Sequence, residues 1–127
     1  MGPRILLVED DSDLRGLFRL ALETSGFQVR EAADGLQAIG MVQIEEFDLV
    51  ILDIAMPNID GCAAIETFKR IRNARAMPII VVTALNDPKL QERVYNAGAV
   101  AFINKPLTPV ELVDYVRQYA APIAIGS

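Results

Sequence analysis

The chain contains no histidine and no tryptophan, and its single cysteine is Cys62. Without imidazole there can be no Ser-His-Asp triad, no His general base and no zinc constellation built on His. One thiol cannot close an internal disulfide. Positive charge is also scarce: 12 Lys+Arg stand against 17 Asp+Glu, for a net charge of −5, and only Lys69, Lys89 and Lys105 are lysines. That balance argues against direct nucleic-acid binding, which normally rests on a basic patch. The longest apolar runs are far too short to span a bilayer, and no basic-then-apolar leader opens the chain. A cytoplasmic protein without membrane association is the expectation. Any chemistry must fall to carboxylates, hydroxyls and Lys.

At 127 residues, 52% hydrophobic and 23% charged, the chain is the size of one globular domain with a real core. Four apolar runs recur, Ile5–Val8, Leu49–Leu52, Ile79–Val82 and Val100–Ile103. Each is rich in aliphatic and β-branched residues and suits a strand buried on both faces. Residues Phe27 to Glu31 alternate apolar and polar, which fits a half-exposed edge strand. Between the runs lie stripes with helical period: Leu14, Leu17, Phe18 and Ala21; Ala38, Ile39 and Val42; Ala64, Ile65, Phe68 and Ile71. Gly26 and Gly98 stand where helix C-terminal caps belong, Pro88 and Pro109 at first-turn positions, and Thr108 with Glu111 forms a capping box. The pattern predicts five strands alternating with five helices, an α/β doubly wound parallel sheet covered on both faces. No repeat or linker interrupts it. One domain over residues 1–121 is expected, with 122–127 as a short tail.

The polar residues fall at particular places. The first run passes directly into Glu9, Asp10 and Asp11; the second ends at Asp53, the third at Thr83, and Lys105 closely follows the fourth. In an open α/β sheet, ligands bind beyond the carboxyl ends of the strands. Strands roughly 4.8 Å apart would bring these side chains to one pocket. Glu9, Asp10 and Asp53 together repel unless positive charge sits among them. Lys105 supplies one charge, and a nest of oxygen donors without His or Cys suits Mg²⁺. Asp53, ending "DLVILD" and followed by "IAMPNIDG" with Pro57 and Gly61 turning the chain, is the candidate to attack a phosphoryl group and form an acyl phosphate. Asp11 reads as the start of the first helix.

Taken together, "LLVEDD", "DIAMPNIDG", "VVTA" and "NKP" resemble the receiver domain of bacterial response regulators, over about Arg4 to Tyr119. The resemblance implies a flavodoxin-like sheet in the order 2-1-3-4-5. It implies that Asp53 is the phosphoacceptor, served by a sensor histidine kinase or phosphotransfer protein, and that the protein is a switch and not an enzyme. Asp10 would bind Mg²⁺ directly, Asp53 would share the ion, Glu9 would act through water, and the Ala55 backbone carbonyl would be a further ligand. Lys105 would pair with the phosphoryl oxygens, Thr83 would swing onto them and Phe102 would turn inward. The responding face would be the fourth helix, fifth strand and fifth helix, roughly Asp87 to Tyr119, with Arg93, Tyr95, Asp114, Arg117 and Tyr119 as exposed contacts to a downstream protein or to a second, phosphorylated copy.

Two departures from the family pattern bear on lifetime: Ala55 and Leu85 are apolar where faster-hydrolysing relatives carry polar groups. Phe102 also lacks the hydroxyl of the Tyr found in many relatives. Two rival readings remain. A phosphohydrolase resembling haloacid dehalogenases would need an acid at position 55, where Ala55 stands. A phosphate-independent adaptor would typically have lost the acids or the Lys.

Overall fold

The computed structural model describes residues 2–55, 60–71, 74 and 76–120. Ten elements alternate strictly: β1 Arg4–Val8, α1 Ser12–Thr24, β2 Gln28–Ala32, α2 Gly35–Ile44, β3 Leu49–Leu52, α3 Gly61–Arg70, β4 Ile79–Thr83, α4 Pro88–Ala97, β5 Ala101–Asn104 and α5 Pro109–Ala120. All strand pairs are parallel, and the sheet order is β2-β1-β3-β4-β5. The expected doubly wound architecture is the one observed. Pro57 and the tail 122–127 lie outside the described residues.

The reason lies in the apolar runs. Every residue of β3 and β4 is buried, because each strand is covered on both faces. Alternate residues feed two separate cores. Leu6, Val8, Val50 and Leu52 pack against Ala38, Val42, Ile65, Phe68 and Val94 from α2, α3 and α4. Ile5, Leu7, Leu49 and Ile51 pack against Phe18, Leu22, Leu112 and Val116 from α1 and α5. The helix ends follow the expected chemistry. Asp11 caps α1 by accepting from the amides of Asp13 and Leu14, and Gly98 closes α4 at φ 126°. Thr108 and Glu111 bond reciprocally at 2.9 and 3.1 Å.

Three details differ from the expectation. Leu17 is half-exposed, at 50%, because α1 buries Phe18 and Leu22 with Leu14 and Ala21 at the flank. The seam is thus turned by about one residue from the expected stripe. β2 begins at Gln28, since the Phe27 amide closes the end of α1 on the Leu22 carbonyl. β5 runs from Ala101 to Asn104 and leaves Val100 outside as an exposed residue, although its amide still donates to the Ile79 carbonyl at 2.9 Å.

Helix α3 starts hard against the end of β3. A Cβ on Gly61 would lie 2.3 Å from both Cβ and Cγ2 of the buried Ile54, the residue after Asp53. Those atoms sit close to the backbone and cannot swing away, so Gly61→Ala should destabilise the fold by about 1–3 kcal/mol. Urea denaturation reads this directly, and a stability equal to wild type would show that the contact yields freely.

Candidate functional site

The order 2-1-3 makes β1 and β3 neighbours whose connections leave in opposite directions along the sheet, and a crevice opens at their carboxyl ends. β1 runs into Glu9 and Asp10, and β3 into Asp53. The Asp53 amide donates to the Val8 carbonyl at 3.1 Å, which carries the pairing of the two strands one step past their ends. Glu9 and Asp53 are buried, at 3% and 5% exposure, while Asp10 is exposed at the mouth. Oxygens of Glu9, Asp10 and Asp53 all lie within 4.8 Å of one another.

Lys105 holds this acid group together. Its Nζ donates to Glu9 Oε1 at 2.7 Å and to Asp53 Oδ2 at 2.8 Å. The lysine is placed by its own amide, which donates to the Thr83 carbonyl at 2.8 Å, just before a cis Lys105–Pro106 peptide. The second oxygen of Asp53 accepts from the Ala55 amide at 2.8 Å, and Glu9 Oε2 accepts from the Asp11 amide at 3.2 Å. The structure therefore brings Glu9, Asp10, Asp53 and Lys105 into one site, with Ala55 exposed on its rim.

Thr83, fully buried at the end of β4, has its hydroxyl engaged by the Leu85 amide at 3.2 Å. The Asn104 side-chain amide donates to the Leu85 carbonyl at 2.8 Å and so pins the same loop from β5. Phe102 is half-buried against the α3–α4 side of the core, and its backbone amide donates to the Tyr95 hydroxyl at 3.1 Å. Arg93, Tyr95, Asp114 and Arg117 are exposed as expected, whereas Tyr119 packs partly against the α1–α5 core.

Two residues at the site went unread in the sequence. Arg15 donates to the Glu9 carbonyl at 2.6 Å, and Asn104 holds the loop after β4. The signal for Arg15 was a cation on the first turns of a helix that follows an acid cluster, a feature most solvated helix faces share.

Burial is the main cause that raises the Glu9 carboxyl above its ordinary value of 4.5. Asp53 adds to it, and the bonds from Lys105 and the Asp11 amide do not cancel it. Desolvation pulls Lys105 down, but its two carboxylate bonds outweigh that and hold it above 10.5. A donor set of three carboxylates, without nitrogen or sulfur, fits a hard divalent cation, and its internal repulsion is what such an ion would relieve.

A raised acid has a defined effect on stability. In the unfolded chain Glu9 loses its proton near 4.5, but in the folded protein it does so later. Stability therefore falls as pH rises through that interval, and the penalty is complete above the folded pKa. The Lys105 contribution is constant there, since it is lost only as pH rises through its folded value above 10.5. In chelator-treated buffer the advantage of Glu9→Gln over wild type should grow from pH 4.5 upward, measured by urea denaturation. A flat difference would contradict the assignment.

The sequence matches the response regulator receiver domain family over residues 5–117. It is 36% identical over 114 residues to the transcriptional regulatory protein ResD of Bacillus subtilis, covering 90% of this chain and 46% of ResD. The chain spans about half the length of the first curated relatives it matches. Among solved structures it resembles a CheY-like receiver domain protein from Methanospirillum hungatei JF-1, with TM-score 0.89, 29% identity and 94% of each chain covered. It also resembles the receiver domain of the sensor histidine kinase PA1611 from Pseudomonas aeruginosa PAO1, with TM-score 0.85, 29% identity and 94% and 98% of the chains covered. That crystal structure has a magnesium ion coordinated in the active site cleft. The chain belongs to the response regulator receiver domain family, whose standard role is a phosphorylation-activated switch in two-component signalling.

Proposed function

We propose that Asp53 is the phosphoacceptor of this domain and that a partner histidine kinase or phosphotransfer protein is the donor. The observation that carries the reading is Lys105 clamped between two buried carboxylates at 2.7 and 2.8 Å, at the switch point of the sheet. One carboxylate oxygen of Asp53 attacks phosphorus while the N–P bond of a phosphoimidazole breaks. The imidazole leaves with the bonding electrons, and an aspartyl phosphate remains. None of the 127 residues is a histidine, so the imidazole lies outside this domain.

Asp10, Asp53 and the Ala55 carbonyl would hold Mg²⁺, with Glu9 acting through water; the ion, when bound, neutralises charge on the transferring group. Receiver domains bind Mg²⁺ at an acidic site of this kind. Lys105 exchanges its carboxylate partners for phosphoryl oxygens. Thr83 releases the Leu85 amide and bonds the phosphoryl group, drawing the loop after β4 with it. Phe102 then packs inward, and the face formed by α4, β5 and α5 changes for a downstream protein or a second copy. The domain acts once per phosphorylation, as a switch and not as a turnover catalyst; no acid stands at Ala55 to serve a phosphohydrolase.

Incubation with a small acyl-phosphate donor, followed by intact mass, tests the site. Wild type should gain one phosphoryl group only with Mg²⁺, and Asp53→Asn should gain none. Equal labelling of Asp53→Asn would overturn the assignment. The aspartyl phosphate should also be long-lived, because Ala55 and Leu85, both exposed at the mouth, offer no polar group to orient a water. Decay of the added mass after donor removal measures this, and a half-life of seconds would contradict it.

A further inference from the structure

Arg15 lies behind the acid rim, on the first turns of α1. Its guanidinium is a fork with two fixed partners. Nε donates to Glu31 Oε1 at 2.7 Å and Nη1 donates to the Glu9 carbonyl at 2.6 Å. Glu31 is a firm anchor, since the bonds from Arg19 and Arg15 hold its carboxyl below the usual range. The Glu9 amide is fixed as well, donating to the Ala32 carbonyl at 3.1 Å. Both backbone groups of Glu9 are thus gripped, one by β2 and one by Arg15.

The Glu9 carbonyl belongs to the peptide that leads into Asp10, so its orientation sets where Asp10 leaves the backbone. The exposed Asp10 carboxylate makes no hydrogen bond to the described residues, so the backbone is what aims it. Taken alone, the Arg15–Glu31 pair would be an ordinary ion pair at the surface, worth little. The second partner, a carbonyl inside the acid loop, sets it apart.

We infer that Arg15, braced by Glu31, is a positioning residue for divalent-cation binding: it holds the Glu9–Asp10 peptide so that both carboxylates face the pocket. This rests on the reading of the acid rim as a Mg²⁺ site. It also predicts a sign opposite to simple electrostatics. A guanidinium beside a cation site should weaken binding by its charge, so removing it should tighten the site unless its role is to position.

Calorimetric titration of the whole chain with MgCl₂ separates these cases, with urea denaturation in chelator-treated buffer as the measure of fold. Arg15→Met should weaken Mg²⁺ binding about tenfold, in the range typical of groups that orient metal ligands. Arg15→Lys keeps the charge but cannot span both partners, and should weaken it comparably. Arg19→Met also loses a bond to Glu31 but leaves the Glu9 carbonyl alone, so its affinity should stay within about twofold of wild type even where its stability falls as far. Asp10→Asn should abolish binding. If Arg15→Met binds as tightly as wild type or tighter while Asp10→Asn does not bind, the inference is overturned and the acid-rim reading stands. If wild type fails to bind, or Asp10→Asn still binds, the rim reading falls and takes the inference with it. Should Arg15→Met fail to fold, undiminished binding by Arg15→Lys overturns the inference in its place.

Discussion

A lysine ammonium wedged between two buried carboxylates governs the carboxyl edge of this sheet. Glu9 and Asp53 sit at the ends of adjacent strands, at a spacing where like charges in a low-dielectric environment cannot both persist uncompensated. The compensating charge comes from beyond β5, two strand spacings or roughly 10 Å from β3. A long, flexible stem is needed to cover that distance, and Lys105 has one. Its amide is bonded to the end of β4, so the backbone beneath the stem is fixed even though the side chain crosses the pocket.

An arrangement held by one movable cation is suited to switching. Its carboxylates are attracted to any harder or higher charge, and its lysine to any stronger anion. In the proposed mechanism an incoming phosphoryl group supplies the second, and the response spreads through bonds already present. The Thr83 hydroxyl is occupied by the Leu85 amide, Asn104 pins the Leu85 carbonyl, and the Tyr95 hydroxyl ties α4 to the outer edge of β5 at Phe102. In that mechanism each contact would belong to one of two arrangements, and a shift in population between them needs only a difference in their interaction free energies.

Much of this was legible in the sequence because the signals are local. Runs such as Leu49–Leu52 are too apolar to face water on either side, and polar residues immediately after them must lie at strand ends. The caps at Asp11, Gly98 and Thr108–Glu111 use chemistry confined to a few neighbouring residues. What escaped depends on distant partners. Leu17 shares its period with the true seam of α1, and only the placement of α5 and the sheet decides which side is buried. Val100 belongs to an apolar run but falls outside β5 and is exposed at the edge of the sheet. Arg15 and Asn104 act on carbonyls brought near by the fold, and a carbonyl leaves no mark on residue identity.

The central claim, that crowded carboxylates at this edge make a divalent-cation site, is tested most directly by following backbone amide resonances during titration with MgCl₂. The account predicts saturable shifts centred on Asp10, Asp53, Ala55 and Lys105, lost on replacement of Asp10. Shifts scattered over the acidic surface without saturation, or none at the ends of β1 and β3, would contradict it.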